Sequence, residues 1–291
     1  MGGGVAIGRI TQFVGVESGT KTTTALHTAR NAQKLFGMTL YMSDVEGTSD
    51  DDYFSMLGLD LNKLMYSRPE GQEEALQLIL DVQKSEKAQI IILDSIASLV
   101  PTKERDAAMD ETVQMGLRSK MLGNFYQKFN AQNNYLTRNG KTPATLIVLN
   151  QVREKFAAYG DPETAPGGRS TGFYSSHNVW FKQAEWITGK AKVKVGQQVK
   201  FNVKKNKLGA RGKHGEFDFY FEDNILGIPK LFVDNAKEVV VEAVYADLIE
   251  QKGAWFYYGK EQFQGVDKLT AYLRENPEVI SELREKLLDR K

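Results

Sequence analysis

The sequence has no cysteine, which excludes disulfides and cysteine-based metal sites. Histidine is scarce as well: His27, His177 and His214 are scattered without ligand spacing. No apolar run approaches the ~18 residues that a membrane span needs. The opening MGGGVAIGRI lacks the basic start and long apolar core of a secretory signal, and Ala6 stands where a myristoylation motif needs Ser or Thr. Neither sign of charge dominates. With 38 Lys+Arg against 37 Asp+Glu, net charge implies no polyanion partner, and the distribution of charge must decide. Low-complexity segments and internal repeats are also missing. The expectation is a soluble, cytoplasmic protein with no membrane partner. The 291 residues suggest one large domain, alone or with a small one, and 41% hydrophobic residues suffice for a real core.

Against these absences stands a clear alternation. ITQFV, MTLYMSD, QIIILDS and ATLIVLNQ read as strands. Between them, TTTALHTARNAQKLF, GQEEALQLILDVQKS and QMGLRSKMLGNFYQKFNAQ read as helices with one apolar face. Apolar strands alternating with amphipathic helices predict an α/β fold, a parallel sheet covered on both faces, with ligands at the carboxyl ends of its strands. NNYLTRNGKTPA reads as a surface loop. From Trp180 to Phe221 the pattern changes to closely spaced strands with Gly-rich turns, which predicts hairpins. Beyond a boundary near Leu226, helical stretches around AKEVVVEAVYADLIEQ and VDKLTAYLRENPEVISELREKLL flank AWFYYGKEQF, a smaller unit. AAYGDPETAPGGRSTG, residues 157–172, has no periodicity, and a loop of that length in a compact domain is usually functional or disordered.

FVGVESGTKTTT, residues 13–24, is nearly a phosphate-binding loop. The usual form, G-x-x-x-x-G-K-[ST], has Gly directly before Lys; here Thr20 precedes Lys21 and the Gly is Gly19. A β-branched residue resists the backbone geometry of that position, and Gly19 is expected to absorb the strain. Loop amides at a helix N-terminus cradle phosphates, Lys21 reaches the outer phosphates and Thr22 holds Mg²⁺. Asp94, ending an apolar strand, is where a second Mg²⁺-organising carboxylate belongs. Asp44 and Glu46 end the second strand on the ligand side, and Glu46 is the candidate general base. Gln151, at the end of ATLIVLNQ, reads as a γ-phosphate sensor or as a polar strand cap. Ten basic residues against Glu185 between Lys182 and Lys213 form either an electrostatic footprint or a solvated sheet edge.

At LNQVREKFAAYGDPETAPGGRSTGFYSS the sequence resembles the second DNA-binding loop of the RecA recombinases. IGRITQFVGVESGTKTT, MSDVEG, IIILDSIASLVP, QMGLRSKM, VKKNK and QKGAWFYYGKEQFQG resemble further signatures of that family, so that the likeness covers essentially the whole chain. The divergence is typical of phage-encoded members. The resemblance implies a RecA-like P-loop NTPase core with a mostly parallel sheet over residues 1–226, with DNA loops at about 104–116 and 153–172, and a small α+β C-terminal domain over 227–291 with a duplex DNA contact.

Carried over by position, it implies ATP and Mg²⁺ as ligands. Glu17, Ser18, Gly19, Thr20, Lys21, Thr22 and Thr23 would bind phosphates, Asp50 and Tyr53 adenine, and Thr22 and Asp94 the metal. Glu46 would activate water, Gln151 would couple nucleotide to DNA, and Lys205 and Lys207 would reach the ATP of a neighbouring subunit. Met115, Gly116, Lys120, Arg153, Lys155, Tyr159, Glu163, Gly167, Gly168 and Arg169 would contact single-stranded DNA, through cations, backbone amides and an aromatic wedge.

The implied activity is a DNA-dependent ATPase that forms a filament on single-stranded DNA and pairs it with homologous duplex. Two other readings are a RecA-fold motor or helicase, and a DNA-binding scaffold with impaired hydrolysis. The chain starts directly before its first core strand, where the family carries a segment that docks on the adjacent subunit, so weaker DNA-free assembly is expected. It stops at LLDRK without an acidic tail, so less restrained duplex capture is expected.

Overall fold

A computed structural model describes residues 4–17, 19–108, 116–154, 163–164, 168–210, 212–223 and 226–289, with backbone alone at 153–154, 163–164, 168–169, 190 and 288. The chain runs β1 (Ile10–Gly15), α1 (Lys21–Phe36), β2 (Leu40–Asp44), α2 (Asp51–Met56), β3 (Leu64–Ser67), α3 (Gln72–Ser85), β4 (Ile90–Asp94), α4 (Thr102–Arg105), α5 (Leu117–Arg138), β5 (Thr145–Gln151), β6 (Arg153–Glu154), β7 (Glu163–Thr164) and α6 (Gly168–Tyr174). It continues with β8 (His177–Thr188), β9 (Lys194–Asn206), β10 (His214–Tyr220), α7 (Asn235–Tyr245), β11 (Glu250–Lys252), β12 (Trp255–Tyr258), β13 (Glu261–Gln264), α8 (Val266–Glu275) and α9 (Pro277–Asp289).

Eight strands form one sheet in the order β10-β9-β8-β1-β5-β4-β2-β3. From β8 to β3 every neighbouring pair is parallel. The expected mostly parallel sheet is therefore present. β1, β2 and β4 are buried along their whole length, as strands covered on both faces must be. One face packs on α3 and α5, where Ile79, Tyr126 and Phe129 meet Ile91, Leu93 and Val148. The register aligns Gly15 with Gln151 and Asp44 with Asp94. Four strands thus deliver their last residues to a single edge.

Two compact units divide the chain: Gly3–Lys182 with Phe201–His214, and Gln183–Lys200 with Gly215–Lys291. The second holds an antiparallel sheet, β11-β12-β13, and a core in which Val240, Ala243, Leu269, Leu273 and Leu283 are fully buried. Asp234 caps α7, accepting from the amides of Ala236 and Lys237, and also binds the guanidinium of Arg274. The stretch from Val266 is two helices, because Pro277 begins a new one after Asn276. Among the described residues, no helix is long and apolar enough to cross a membrane.

Other expectations need correction. NNYLTR is not loop: α5 continues to Arg138. Asn133 is the reason. Buried, it donates to the carbonyls of Gly8 and Ala144 and accepts from Gln83 and the Ala144 amide, stitching the helix to three other segments. Residues 168–172, read as aperiodic, begin α6, which stacks Tyr174 on Tyr126 while Thr171 accepts from the Tyr126 hydroxyl. Tertiary packing here overrides a Gly-rich local sequence.

Candidate active site

β1 leads into a turn whose last residue, Thr20, caps α1 with φ 63° and ψ 8°. That is the left-handed region, disfavoured for a residue with Cβ and more so for a β-branched one. Gly19 does not absorb the strain as expected: the left-handed residue is Thr20 itself. Gly19 answers a different demand, since a Cβ there would lie 2.9 Å from the Val16 carbonyl oxygen. The Thr20 hydroxyl donates to the Gly19 carbonyl at 2.6 Å and caps no amide of α1. Lys21 is buried, and its Nζ donates to the Val16 carbonyl at 2.6 Å. Burial lowers its pKa, against the opposing pull of Asp94, Glu46 and Glu17.

Thr22 donates through Oγ1 to Asp94 Oδ2 at 2.7 Å, so the two residues assigned to the metal are brought together. Only 2% of Asp94 is exposed. Its pKa is pushed up to about 7, chiefly by burial, and Glu46 and Asp44 push the same way against Thr22 and Lys21. Hard oxygen donors of this kind fit Mg²⁺, which binds through one or two protein oxygens plus substrate phosphates. Asp44 is buried and organises its own turn, accepting from the amides of Gly47 and Ser49.

Glu46 is exposed at the same edge. Its Oε1 accepts from Ser95 Oγ at 2.6 Å, Gln151 Nε2 at 3.1 Å and Ser98 Oγ at 3.2 Å. Gln151 and Glu46 are therefore in contact, with Gln151 at the mouth of the loop after β5. Asp50 caps α2 through the Tyr53 amide, and the Tyr53 hydroxyl meets Thr23 Oγ1 at 2.9 Å, which ties this ring to the first turn of α1. Burial raises the Tyr53 pKa. Glu17 is exposed beside the loop.

Lys205 and Lys207 are not at this edge. Lys205 Nζ donates to the carbonyls of Gly172 (2.5 Å) and Phe173 (2.9 Å), and Lys207 Nζ to that of Phe173 (3.4 Å). The Lys207 amide bonds Ser176, whose amide bonds Ile10 at the start of β1. The length of β1, roughly 16 Å at ~3.3 Å per residue, separates that end from Gly15.

Of the residues assigned to DNA, Gly116 is the N-cap of α5 at φ 89° and Lys120 is exposed in its first turn. Arg153 pairs with Thr164 and Glu154 with Glu163, so a short ladder pins the start of the second loop to its middle. Gly168 and Arg169 open α6. Ser18, Met115, Lys155, Tyr159 and Gly167 lie outside the described residues. In the basic stretch, Lys204 sits 3.5 Å from the centroid of the Trp180 ring and Lys194 4.1 Å from that of Trp186, both cation–π contacts. Sequence reasoning missed Ser95 and Ser98; the signal was present as two serines three residues apart after Asp94.

Comparisons with known proteins agree with this architecture. The model of the RecA N-terminal domain matches residues 1–226 and that of the RecA C-terminal domain residues 237–290. Protein RecA of Thermus aquaticus is 36% identical over 290 residues, covering 99% of this chain and 81% of the relative. Protein RecA of Chlamydia felis is 34% identical over 289 residues, covering 99% and 78%.

Proposed function

Because the chain belongs to the RecA family, we propose that it is an ATP-dependent homologous recombination protein that assembles on single-stranded DNA and promotes pairing and strand exchange with homologous duplex. The observation that carries this reading is the convergence of Lys21, Thr22, Asp94, Glu46 and Gln151 at one sheet edge, with Gln151 opening the pinned second loop.

In this reading the amides from Glu17 to Thr22 receive the phosphates and Lys21 exchanges the Val16 carbonyl for a phosphate oxygen. Thr22 and Asp94 hold Mg²⁺, which, when bound, neutralises phosphate charge. Glu46 takes the proton of the attacking water, and Gln151 exchanges Glu46 for the γ-phosphate, reporting its presence to the second loop. Tyr53 and Asp50 flank adenine. Met115, Gly116, Lys120 and the second loop from Arg153 to Arg169 grip DNA largely through its backbone. Lys205 and Lys207, remote from the chain's own phosphate loop, complete the site of the next subunit. Residues 1–226 form the ATPase core, and 227–291 a C-terminal domain that contacts duplex.

The left-handed Thr20 favours a second reading, a DNA-binding scaffold with impaired hydrolysis. ATP turnover with and without single-stranded DNA, for wild type and Glu46→Gln, separates the two. DNA-stimulated turnover that disappears in the variant supports the recombinase; ATP-independent DNA binding with no phosphate release supports the scaffold.

A further inference from the structure

We propose that Ser98, with Ser95, is a positioning residue that keeps Glu46 aimed when Gln151 leaves it. The inference rests on Glu46 being the base in the reading above.

The local sequence builds the device. After β4, Ile96–Ser98 form a single 3₁₀ turn, closed by the Ser98 amide on the Ser95 carbonyl at 3.2 Å. Ser95 is the extended residue that leads into the turn, and the closing bond brings Ser98 back over it. Ser95 and Ser98 are thereby stacked with their hydroxyls 3.2 Å apart, and both reach Glu46 Oε1. Gln151 reaches the same oxygen from β5. The three donors converge on Oε1, and none of them takes Oε2. A carboxylate held through one oxygen presents the other in a fixed direction, as a base must to meet a water in line with the bond being broken.

The convergence also has a logical consequence. One donor, Gln151, belongs to the strand that opens the second loop; the other two belong to the turn after Asp94. If Gln151 were the sole partner, its departure to follow the nucleotide would free the Glu46 side chain at the moment of hydrolysis. The serine pair removes that conflict, so the sensor can move while the base stays. Ser95 is buried and fixed by the fold, whereas Ser98 is half exposed, so its hydroxyl can be removed without opening a cavity.

The test measures DNA-stimulated ATPase for Ser98→Ala, Ser98→Thr and Glu46→Gln, with binding of a fluorescent ATP analogue as control. The inference expects kcat of Ser98→Ala to fall on the order of tenfold, the scale of one hydrogen bond to a charged group. KM for ATP and analogue affinity should be unchanged, and Ser98→Thr should restore most of kcat. A Ser98→Ala enzyme with wild-type kcat, or one that loses KM and kcat together without rescue by Thr, overturns it while Glu46→Gln remains inactive and the base assignment stands. Full activity in Glu46→Gln would overturn both at once, and is recognisable as failure of the assignment itself.

Discussion

Replacing Thr20 by Gly isolates one strained residue in a site that otherwise remains intact. A left-handed conformation costs a residue with Cβ roughly 1–2 kcal/mol. Against that relief stand about 0.5–1 kcal/mol from the extra freedom of Gly in the unfolded chain and about 0.5–1.5 kcal/mol from the lost hydrogen bond to Gly19. For global stability these nearly cancel, so the melting temperature should barely move. Nucleotide binding is different, because the unfolded chain drops out of the comparison. Strain in Thr20 lowers the fraction of loops in the competent form, and apparent affinity falls by that fraction. Relief offset by the looser Gly loop leaves a gain on the order of threefold in Kd, measurable by calorimetry with a non-hydrolysable ATP analogue. Thr20→Asn should fall between, since Asn tolerates the left-handed region. Equal affinity and turnover in wild type, Thr20→Gly and Thr20→Asn would refute the strain argument, as would a Gly variant that binds more weakly.

Three further outcomes follow from other parts of the structure. Asp94 has a folded pKa of about 7, above its ordinary value of 3.8, so its contribution to nucleotide-free stability is present at low pH and lost as pH rises through 7. Asp94→Asn should therefore stabilise the nucleotide-free protein at pH 8, by on the order of 2 kcal/mol, with no gain at pH 4; thermal melts across that range decide, and the same variant should lose Mg²⁺-dependent ATP binding. Gly15→Ala would bring a Cβ to 2.8 Å from the Phe181 carbonyl oxygen across the β1–β8 pair, and should cost about 1–3 kcal/mol in denaturant unfolding. Lys205→Ala should leave ATP-analogue affinity unchanged without DNA yet lower DNA-stimulated turnover at least tenfold, and mixing it with Glu46→Gln should recover part of the activity, because each supplies what the other's shared site lacks.

The sheet was readable because buried parallel strands write themselves as apolar runs, as ITQFV and IIILD do. Strand β3 was not readable: LMYS is half exposed at the sheet edge and carries no alternation. The length of α5 was hidden because Asn133, polar in sequence, is satisfied only by partners distant along the chain. At the site, residue types announced Lys21, Thr22, Asp94 and Glu46. That Thr20 rather than Gly19 takes the left-handed conformation depends on the path of the backbone, which spacing alone does not specify. The convergence of Ser95, Ser98 and Gln151 on one carboxylate oxygen likewise needs three strands in register.

Lys205 and Lys207 lie at one end of the strands and the phosphate loop at the other. If, as proposed, both serve one nucleotide site shared between neighbouring subunits, the protein is polar in the sense that a magnet is: its contacts run head to tail and give an open array wherever the rotation between subunits does not close a ring. In such an array of n subunits only n − 1 nucleotide sites are complete, and the unfinished one is always at the same end. Turnover per subunit then rises with length and saturates, so the array measures its own extent. On the proposed function, its incomplete terminus would be where nucleotide persists longest, giving growth and loss of subunits different rates at the two ends.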